Sequence, residues 1–296
     1  MKYTHLGRSG LSVSRLCLGT MNFSWTTEKA DAFTVMDSAH DKGINFFDTA
    51  NRYGRPNPGM TETIIGEWFA QGGGRREKTV LATKLYGEMG AQGFAPGDQA
   101  HIRIFKRERT LELWLKKPQG QFVLFKDYPI CNFSGGLGPK LKEGDRQAPE
   151  GFYRVAMKQL NPHSRHHLAF NLGFPNAYDR ELERTGSALM VHGGCTSVGC
   201  FAMTDAQIDE IYAVVEAALH RGQAEVDVSI FPFRLTATAL AAEAHSAWMP
   251  FWQNLKQGSD LFEATGAPPR VAACAGTYVF NESAVGPGCI PIAGWV

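Results

Sequence analysis

A histidine and a cysteine lie in one glycine-rich segment, residues 190–203, directly before a strong helix start. A free thiol has a pKa of about 8.5 and is mostly protonated at neutral pH, so a reactive cysteine needs an imidazole or a positive dipole beside it. His192 and Cys200 are close enough in the sequence to form such a pair. Their spacing predicts a thiolate nucleophile with a histidine base.

Three other interpretations of this segment stay open. Cys200 could be a buried structural thiol, which is a common role for cysteine. Cys195 lies nearer to His192 and could be the active thiol, although it lacks the serine-x-glycine context of Cys200. The three side chains could also bind zinc, but a structural site needs four ligands and no Cys-x-x-Cys pair is present. We therefore predict no metal, and we interpret Ser197 as a hydrogen-bond partner within the turn or as part of a substrate shelf.

The composition favours an ordinary globular protein. The 296 residues are 44% hydrophobic and 20% charged, enough to bury one or two cores. A net charge of +1 gives no reason to expect nucleic acid or an anionic membrane as a partner. No apolar run reaches the roughly 20 residues that span a bilayer. The first residues lack the order of a signal peptide, so the sequence as written predicts a cytoplasmic chain.

The cysteines are scattered along the chain. Wide and irregular spacing argues against a disulfide scaffold, so we expect buried or reactive thiols. The six positions are Cys17, Cys131, Cys195, Cys200, Cys274 and Cys289.

Two halves with different patterns meet near residues 87–100, a stretch with four glycines and a proline that is typical of a linker. Before it, short apolar runs at 16–19, 44–47 and 79–83 alternate with helical periodicity. Such alternation predicts parallel strands with helical crossovers.

The first half resembles the opening of an aldo-keto reductase. The matching runs are Leu6–Gly10, Leu18–Met21, Asn45–Ala50, Tyr53–Gly54 and Ala82–Lys84. The resemblance implies that Asp48, Tyr53 and Lys84 correspond to three members of a catalytic tetrad that works with NADPH. It ends after the third strand, without the tetrad histidine or the later loops that hold the cofactor phosphates. We therefore expect a truncated barrel fragment of about three strands, with an NADP-dependent reductase as the less favoured alternative.

The second half has short alternating segments at 101–105, 110–115 and 122–125, which predict antiparallel strands. Thr204 and Gln207 form a capping box before an amphipathic helix that runs to Gly222. The residues of 226–231 predict a strand, and 247–265 predict a helix. The expected fold class is α+β, mainly antiparallel sheet with flanking helices. His163, His166 and His167 are expected to be solvated, with His167 the one that could face a cleft.

Residues 101–280 resemble an L,D-transpeptidase catalytic domain of the YkuD type, in particular the YafK-like branch of murein enzymes. The resemblance rests on motifs in family order: Gly144–Asp145, Ala148–Pro149, Gly151–Tyr153, Phe170–Arg180, Val191–Gly193 and Ser197–Cys200. We therefore predict a reductase-like segment at 1–90, a linker at 91–100 and a transpeptidase-like domain at 101–296.

The resemblance implies that Cys200 attacks a muropeptide carbonyl next to meso-diaminopimelate and forms a thioester, with His192 moving the proton. The Gly193 carbonyl would orient His192, and the N–H groups of Gly199 and Cys200 could form an oxyanion hole. An incoming amine would complete transfer and water would complete hydrolysis, so a murein hydrolase with the same site is the alternative.

Two arginines complete the predicted site. Arg180 and Arg184 are candidates to bind the diaminopimelate carboxylate, because a guanidinium fork suits carboxylates. The transpeptidase-like domain is expected to need no cofactor. The family acts in the periplasm or cell envelope, which conflicts with the missing signal peptide.

Overall fold

The structure is a computed structural model that describes residues 1–6, 11–84 and 86–294. Residues 7–10 of the reductase-like motif at Leu6–Gly10 lie outside the described residues. The chain separates into two compact units, Met1–Ala95 and Pro96–Val296. Their boundary falls inside the stretch in which the pattern changes.

The first unit contains the predicted parallel sheet. Its strands pair in the order β3-β4-β5, with Phe46 aligned on both Cys17 and Val80. Helices cover one side, and Met36, Phe47, Ile65 and Trp68 are buried there. The elements are β1 (Tyr3–His5), β2 (Ser12–Ser14), β3 (Cys17–Gly19), α1 (Lys29–Asp41), β4 (Phe46–Asp48), α2 (Met60–Ala70), β5 (Val80–Ala82) and α3 (Tyr86–Ala91).

The described part of this unit contains no closed barrel, since its parallel sheet has three strands. The expectation of a barrel fragment is confirmed. Helix α3 occupies the first residues of the stretch that we predicted to be irregular, so that stretch is shorter than expected.

The second unit is built on a five-stranded sheet of order β8-β7-β6-β14-β9. Strands β6 (Ala100–Phe105), β7 (Thr110–Lys116) and β8 (Phe122–Pro129) are antiparallel, as predicted. Strand β14 (Glu225–Phe231) runs parallel to β6 and antiparallel to β9 (Gly151–Ala156). The sheet is therefore mixed, within the α+β class expected from the sequence.

Two smaller sheets complete this unit. The four-stranded sheet runs β10 (Leu160–Ser164), β11 (His167–Asn171), β12 (Met190–His192) and β13 (Phe201–Ala202). The three-stranded sheet runs β16 (Thr277–Phe280), β15 (Val271–Cys274) and β17 (Ile290–Ala293). The helices are α4 (Ala177–Glu181), α5 (Asp205–His220), α6 (Ala237–Ala242) and α7 (Met249–Thr265).

Helix α5 begins where the sequence predicts. The Thr204 hydroxyl accepts a hydrogen bond from the backbone N–H of Gln207, and the Gln207 side chain accepts one from the backbone N–H of Thr204. The apolar side, with Ile208, Ile211 and Val215, is fully buried. This helix packs against β11 and β12, so it supports the strand that carries His192.

The cysteine prediction is wrong for four of the six residues. Disulfides join Cys131 to Cys195 and Cys274 to Cys289, whereas Cys17 and Cys200 are free. The first disulfide joins residues 64 apart in sequence. The chain brings them together because Asn132 and Ala202 exchange backbone hydrogen bonds and the N–H of Cys195 donates to Met203. Sequence spacing contains no signal for this long-range pairing.

Within the described residues, every helix is too short or too polar to cross a bilayer.

Candidate active site

Strand β12 holds His192 in the middle of the four-stranded sheet. His192 pairs with Ala169 on antiparallel β11 and with Ala202 on parallel β13. Residues opposite each other in a ladder share a face, and the next residue along each strand points the other way. The alternate residues Phe170, Val191 and Phe201 are fully buried. His192 therefore lies on the opposite face from this apolar cluster.

The hydrogen bonds of the His192 ring leave one nitrogen available as a base. Nδ1 lies 2.6 Å from the carbonyl oxygen of Gly193, and a carbonyl can only accept, so Nδ1 carries the proton. Nε2 then has a free lone pair. Burial lowers the pKa of His192. The Gly193 hydrogen bond raises this pKa in part, and the neighbouring His166 lowers it further. The ring is therefore neutral at pH 7.

Position 193 favours glycine because neighbouring atoms occupy the space that a Cβ would need. A Cβ at this position would lie 2.7 Å from the Asp205 carboxylate and 2.9 Å from the carbonyl oxygen of His166. Its N–H donates to the carbonyls of His166 and Leu168, at 3.0 and 3.1 Å. The chain after His192 is thus held against β11, with the Gly193 carbonyl directed at the imidazole.

The thiol of Cys200 is half-buried at the start of β13. Its Sγ lies 3.4 Å from the backbone N–H of Met190 and 3.5 Å from the carbonyl of Ala188. Ser197 Oγ donates to the Cys200 carbonyl at 2.6 Å, so Ser197 is a hydrogen-bond partner within the turn. Gly199 has a φ of 113°, a conformation that favours glycine.

The surroundings of Cys200 favour the protonated thiol. Burial raises the pKa of Cys200, and the Met190 N–H and the Lys140 cation offset this only in part. The predicted thiolate therefore depends on a base that takes this proton, which is the role predicted for His192. Burial removes water that would solvate the thiolate, and the sequence gives no measure of that cost.

His192 and Cys200 lie diagonally across the β12–β13 pairing. His192 is level with Ala202, and Cys200 precedes Ala202 by two residues. Strand geometry puts their Cα atoms ~8 Å apart, within reach of two side chains that meet at one substrate. No hydrogen bond of the described chain joins Sγ to the imidazole, and His192 is only 3% exposed whereas Cys200 is half-buried.

The glycine-rich segment 134–150 packs beside Gly199. A Cβ on Gly199 would lie 3.8 Å from the carbonyl of Gln147. The segment is anchored by a fully buried ion pair, in which Lys106 Nζ lies 2.9 Å from Glu150 Oε1 and also donates to the carbonyls of Gly138 and Ala148. This pair fixes one wall of the site.

Lys140, in the same segment, is a site residue that the sequence reasoning missed. It is buried and donates to Asp145 at 2.6 Å and to the Lys142 carbonyl at 2.9 Å. Burial opposes ionisation of Asp145, but hydrogen bonds from Lys140 and from three backbone N–H groups outweigh it and lower its pKa to about 2. The available signal was the Gly144–Asp145 motif, which holds Lys140 in place.

A second imidazole covers His192. The ring centroids of His166 and His192 are 4.6 Å apart. His166 is exposed, as expected, but it also contacts the candidate base, which the sequence did not indicate. His167 Nε2 lies 2.6 Å from Asp209, and His163 is exposed.

The two predicted carboxylate-binding arginines differ. Arg184 is buried, lies 2.9 Å from Asp179 and packs over the rings of Tyr178 and Phe251. The Arg184 guanidinium is therefore engaged within the fold, which argues against its predicted contact with substrate. Arg180 is exposed and lines a cavity beside β11.

The disulfide at Cys195 settles two alternatives. A sulfur bonded to Cys131 is neither a free nucleophile nor a zinc ligand. No group of three or more potential metal ligands occurs in the described part of the chain. Cys200 is the free thiol of this segment.

The first unit brings its three tetrad-like residues together. Lys84 Nζ donates to Asp48 at 2.5 Å and to the Thr49 carbonyl at 3.0 Å, and it lies 5.4 Å from the centre of the Tyr53 ring. The adjacent cavity is lined by loops that follow β3 and β4. The parallel sheet ends at β5, so its described residues provide no later loops for a dinucleotide. These residues do not fit NADPH, and we derive no hydride transfer.

Comparison with known proteins places this site in a family. Residues 99–230 match the L,D-transpeptidase catalytic domain. YafK of Escherichia coli (strain K12), named as a candidate L,D-transpeptidase, is 49% identical over 186 residues, which are 63% of this chain and 75% of YafK. The chain belongs to the L,D-transpeptidase family. The motifs that indicated this family include both His192 and Cys200.

The reductase resemblance of this L,D-transpeptidase is also confirmed, since residues 15–109 match the aldo/keto reductase family. YrpG of Bacillus subtilis (strain 168), named as an oxidoreductase, is 57% identical over 124 residues, which are 42% of this chain. The chain spans 38% of the length of YrpG.

One solved structure with similarity is the helical cell shape determining protein Pgp2 from Campylobacter jejuni. It has a TM-score of 0.37 and 19% identity, and the match covers 50% of this chain and 55% of Pgp2.

Proposed function

We propose that this chain is a cysteine-dependent L,D-transpeptidase that acts on peptidoglycan stem peptides at meso-diaminopimelate through a thioester. The observation that carries the proposal is the arrangement of a free thiol and a neutral imidazole on adjacent strands. The imidazole has its Nδ1 fixed by Gly193 and its Nε2 available. Family membership supports the reaction class.

The first step starts from two neutral groups. His192 Nε2 removes the Cys200 proton as Sγ attacks the carbonyl carbon, so a C–S bond forms and the carbonyl oxygen becomes negative. N–H groups of Gly199 and Cys200 stabilise that oxygen. The intermediate then breaks its C–N bond, and the leaving amine takes the proton from His192.

The second step reverses the roles. An acceptor amine loses a proton to His192, attacks the thioester carbonyl and releases the thiol, which recovers the proton. Water in place of the amine gives hydrolysis by the same residues, so a murein hydrolase is the alternative.

Muropeptides that contain meso-diaminopimelate test this proposal. Purified chain is incubated with them, with and without an added amine, and products are identified by mass spectrometry. Amine-linked product supports transpeptidation, and hydrolysed product in the presence of amine supports the alternative. An unchanged substrate pool, with no thioester adduct on the chain, contradicts both.

We further propose that the chain acts in the periplasm or cell envelope. Disulfides persist in oxidising compartments and are rare in the cytosol. The second unit, Pro96–Val296, has two disulfides. Protein isolated without reductant and then denatured is expected to show two thiols reactive with maleimide, Cys17 and Cys200. Six reactive thiols would contradict the proposal.

A further inference from the structure

A polar cavity of about 490 Å³ lies between β9, β11 and α4. Its wall carries three cations, Arg154, Lys158 and Arg180, and one anion, Glu225. Arg154 is neutralised, because its Nη1 lies 2.7 Å from Glu225 Oε2. Lys158 and Arg180 are exposed and make no ion pair within the described chain. The cavity therefore has two uncompensated positive charges.

The other polar groups of this cavity favour a ligand that accepts hydrogen bonds. Asn171 Oδ1 accepts from the N–H of Gly173 at 2.8 Å, so its NH₂ group is left as a donor. The guanidinium of Arg180 gives one N–H to the carbonyl of Pro175 and retains the others. Ammonium, guanidinium and amide donors together match a carboxylate.

The cavity is connected to the candidate nucleophile through one strand pairing. Asn171 is aligned with Met190 across β11–β12, and Met190 N–H lies 3.4 Å from Cys200 Sγ. Opposed Cα atoms in such a pair are ~5 Å apart, so the Asn171 Cα is within about 10 Å of the thiol. An extended peptide covers that distance in about three residues.

Asn171 and His192 also share a face of the sheet. Asn171 is opposite Met190, and Ala169 is opposite His192. Ala169 and Asn171 are two residues apart on β11, so their side chains and those of their partners point to the same face. A peptide whose carbonyl reaches Cys200 can therefore place a carboxylate in the cavity without crossing the sheet.

We propose that this cavity is a subsite for a carboxylate of the peptide substrate, bound by Lys158, Arg180 and Asn171. The proposal rests on the proposed function of the thiol site. The subsite gives this chain a preference for peptides with a free carboxylate over their amides. It lies away from the reacting atoms.

Binding is tested in a Cys200→Ala chain, in which turnover is absent. The probes are a muropeptide with a free diaminopimelate carboxylate and the same muropeptide amidated there. Calorimetric titration is expected to show at least tenfold tighter binding of the acid, and Arg180→Gln with Lys158→Gln is expected to remove this preference. Amide affinity should change less than threefold.

The matched control is Lys256→Gln, which removes a lysine paired with Asp260 on α7. It is expected to keep the full preference for the acid. Equal affinity for both probes in the parent, or a preference that survives loss of both cations, overturns the subsite.

Kinetics in the chain with Cys200 separate the two proposals. If the parent turns over the acid and the double variant raises KM about tenfold with kcat unchanged, both stand. Turnover of neither probe, with the binding preference intact, defeats the transpeptidase proposal but supports the subsite.

Discussion

Cys200→Ala is expected to abolish muropeptide turnover, with kcat falling at least about 10⁴-fold. Without sulfur no thioester forms, and alanine offers no alternative nucleophile. The fold should survive, because Sγ makes only two weak contacts, at 3.4 and 3.5 Å. Product formation by mass spectrometry and the circular dichroism spectrum are compared with those of the parent.

Cys17→Ala is the control, because Cys17 is the other free cysteine and is exposed. It should leave turnover unchanged. A thiol reagent should stop turnover of the parent and of Cys17→Ala alike, in proportion to the labelling of Cys200. Substantial turnover by the Cys200→Ala chain would identify this chain as something other than a cysteine enzyme.

His192→Gln is expected to lower kcat by about 10²- to 10⁴-fold, the usual contribution of a positioned general base. Glutamine can hydrogen-bond to the Gly193 carbonyl but cannot take the thiol proton. Substrate binding should change little. Steady-state rates with the same muropeptide probe give kcat and KM separately.

The pH profile of the parent provides a second measurement of the same residue. Neutral His192 is the active form, so the rate should rise with pH as the imidazolium loses its proton. Because burial lowers the pKa of His192, this rise is expected below the ordinary value of about 6.5. The rise should vanish in His192→Gln and persist in His163→Gln, which changes an exposed histidine on β10. A rise above pH 7 would contradict the neutral pair.

The proposed mechanism requires both Cys200 and His192. Burial raises the pKa of Cys200, so the proposed attack needs a base that removes the thiol proton. Lys140, the cation that lowers the pKa of this thiol within the described residues, is itself held by Asp145. In the proposed mechanism the thiol and the base both start neutral, and charge develops when a substrate carbonyl is attacked.

The disulfide between Cys131 and Cys195 contributes to this arrangement. It lies in the segment between His192 and Cys200 and fixes that segment to the end of β8. The sequence interpretation treated Cys195 as a rival nucleophile or as a zinc ligand. In the structure it instead links the turn before Cys200 to Cys131.

Local features were predictable from the sequence. The capping box at Thr204 and Gln207 joins residues three apart, and the strands at 101–105 and 226–231 follow from periodicity alone. His192 and Cys200 were found because the chemistry is concentrated in one short segment. The reductase-like sheet was predicted for the same reason, since each of its strands has its own apolar run.

The tertiary structure decided the features that depend on residues distant in sequence or on burial. The disulfides, the contact of His166 with His192 and the position of Lys140 all join separate segments. Arg180 and Arg184 lie four residues apart, yet one lines a cavity and the other is buried against Asp179. Sequence determined which groups can react, because reactivity belongs to the residue type. Folding decided which are charged, exposed or paired, because solvation and distance are set by the packed chain.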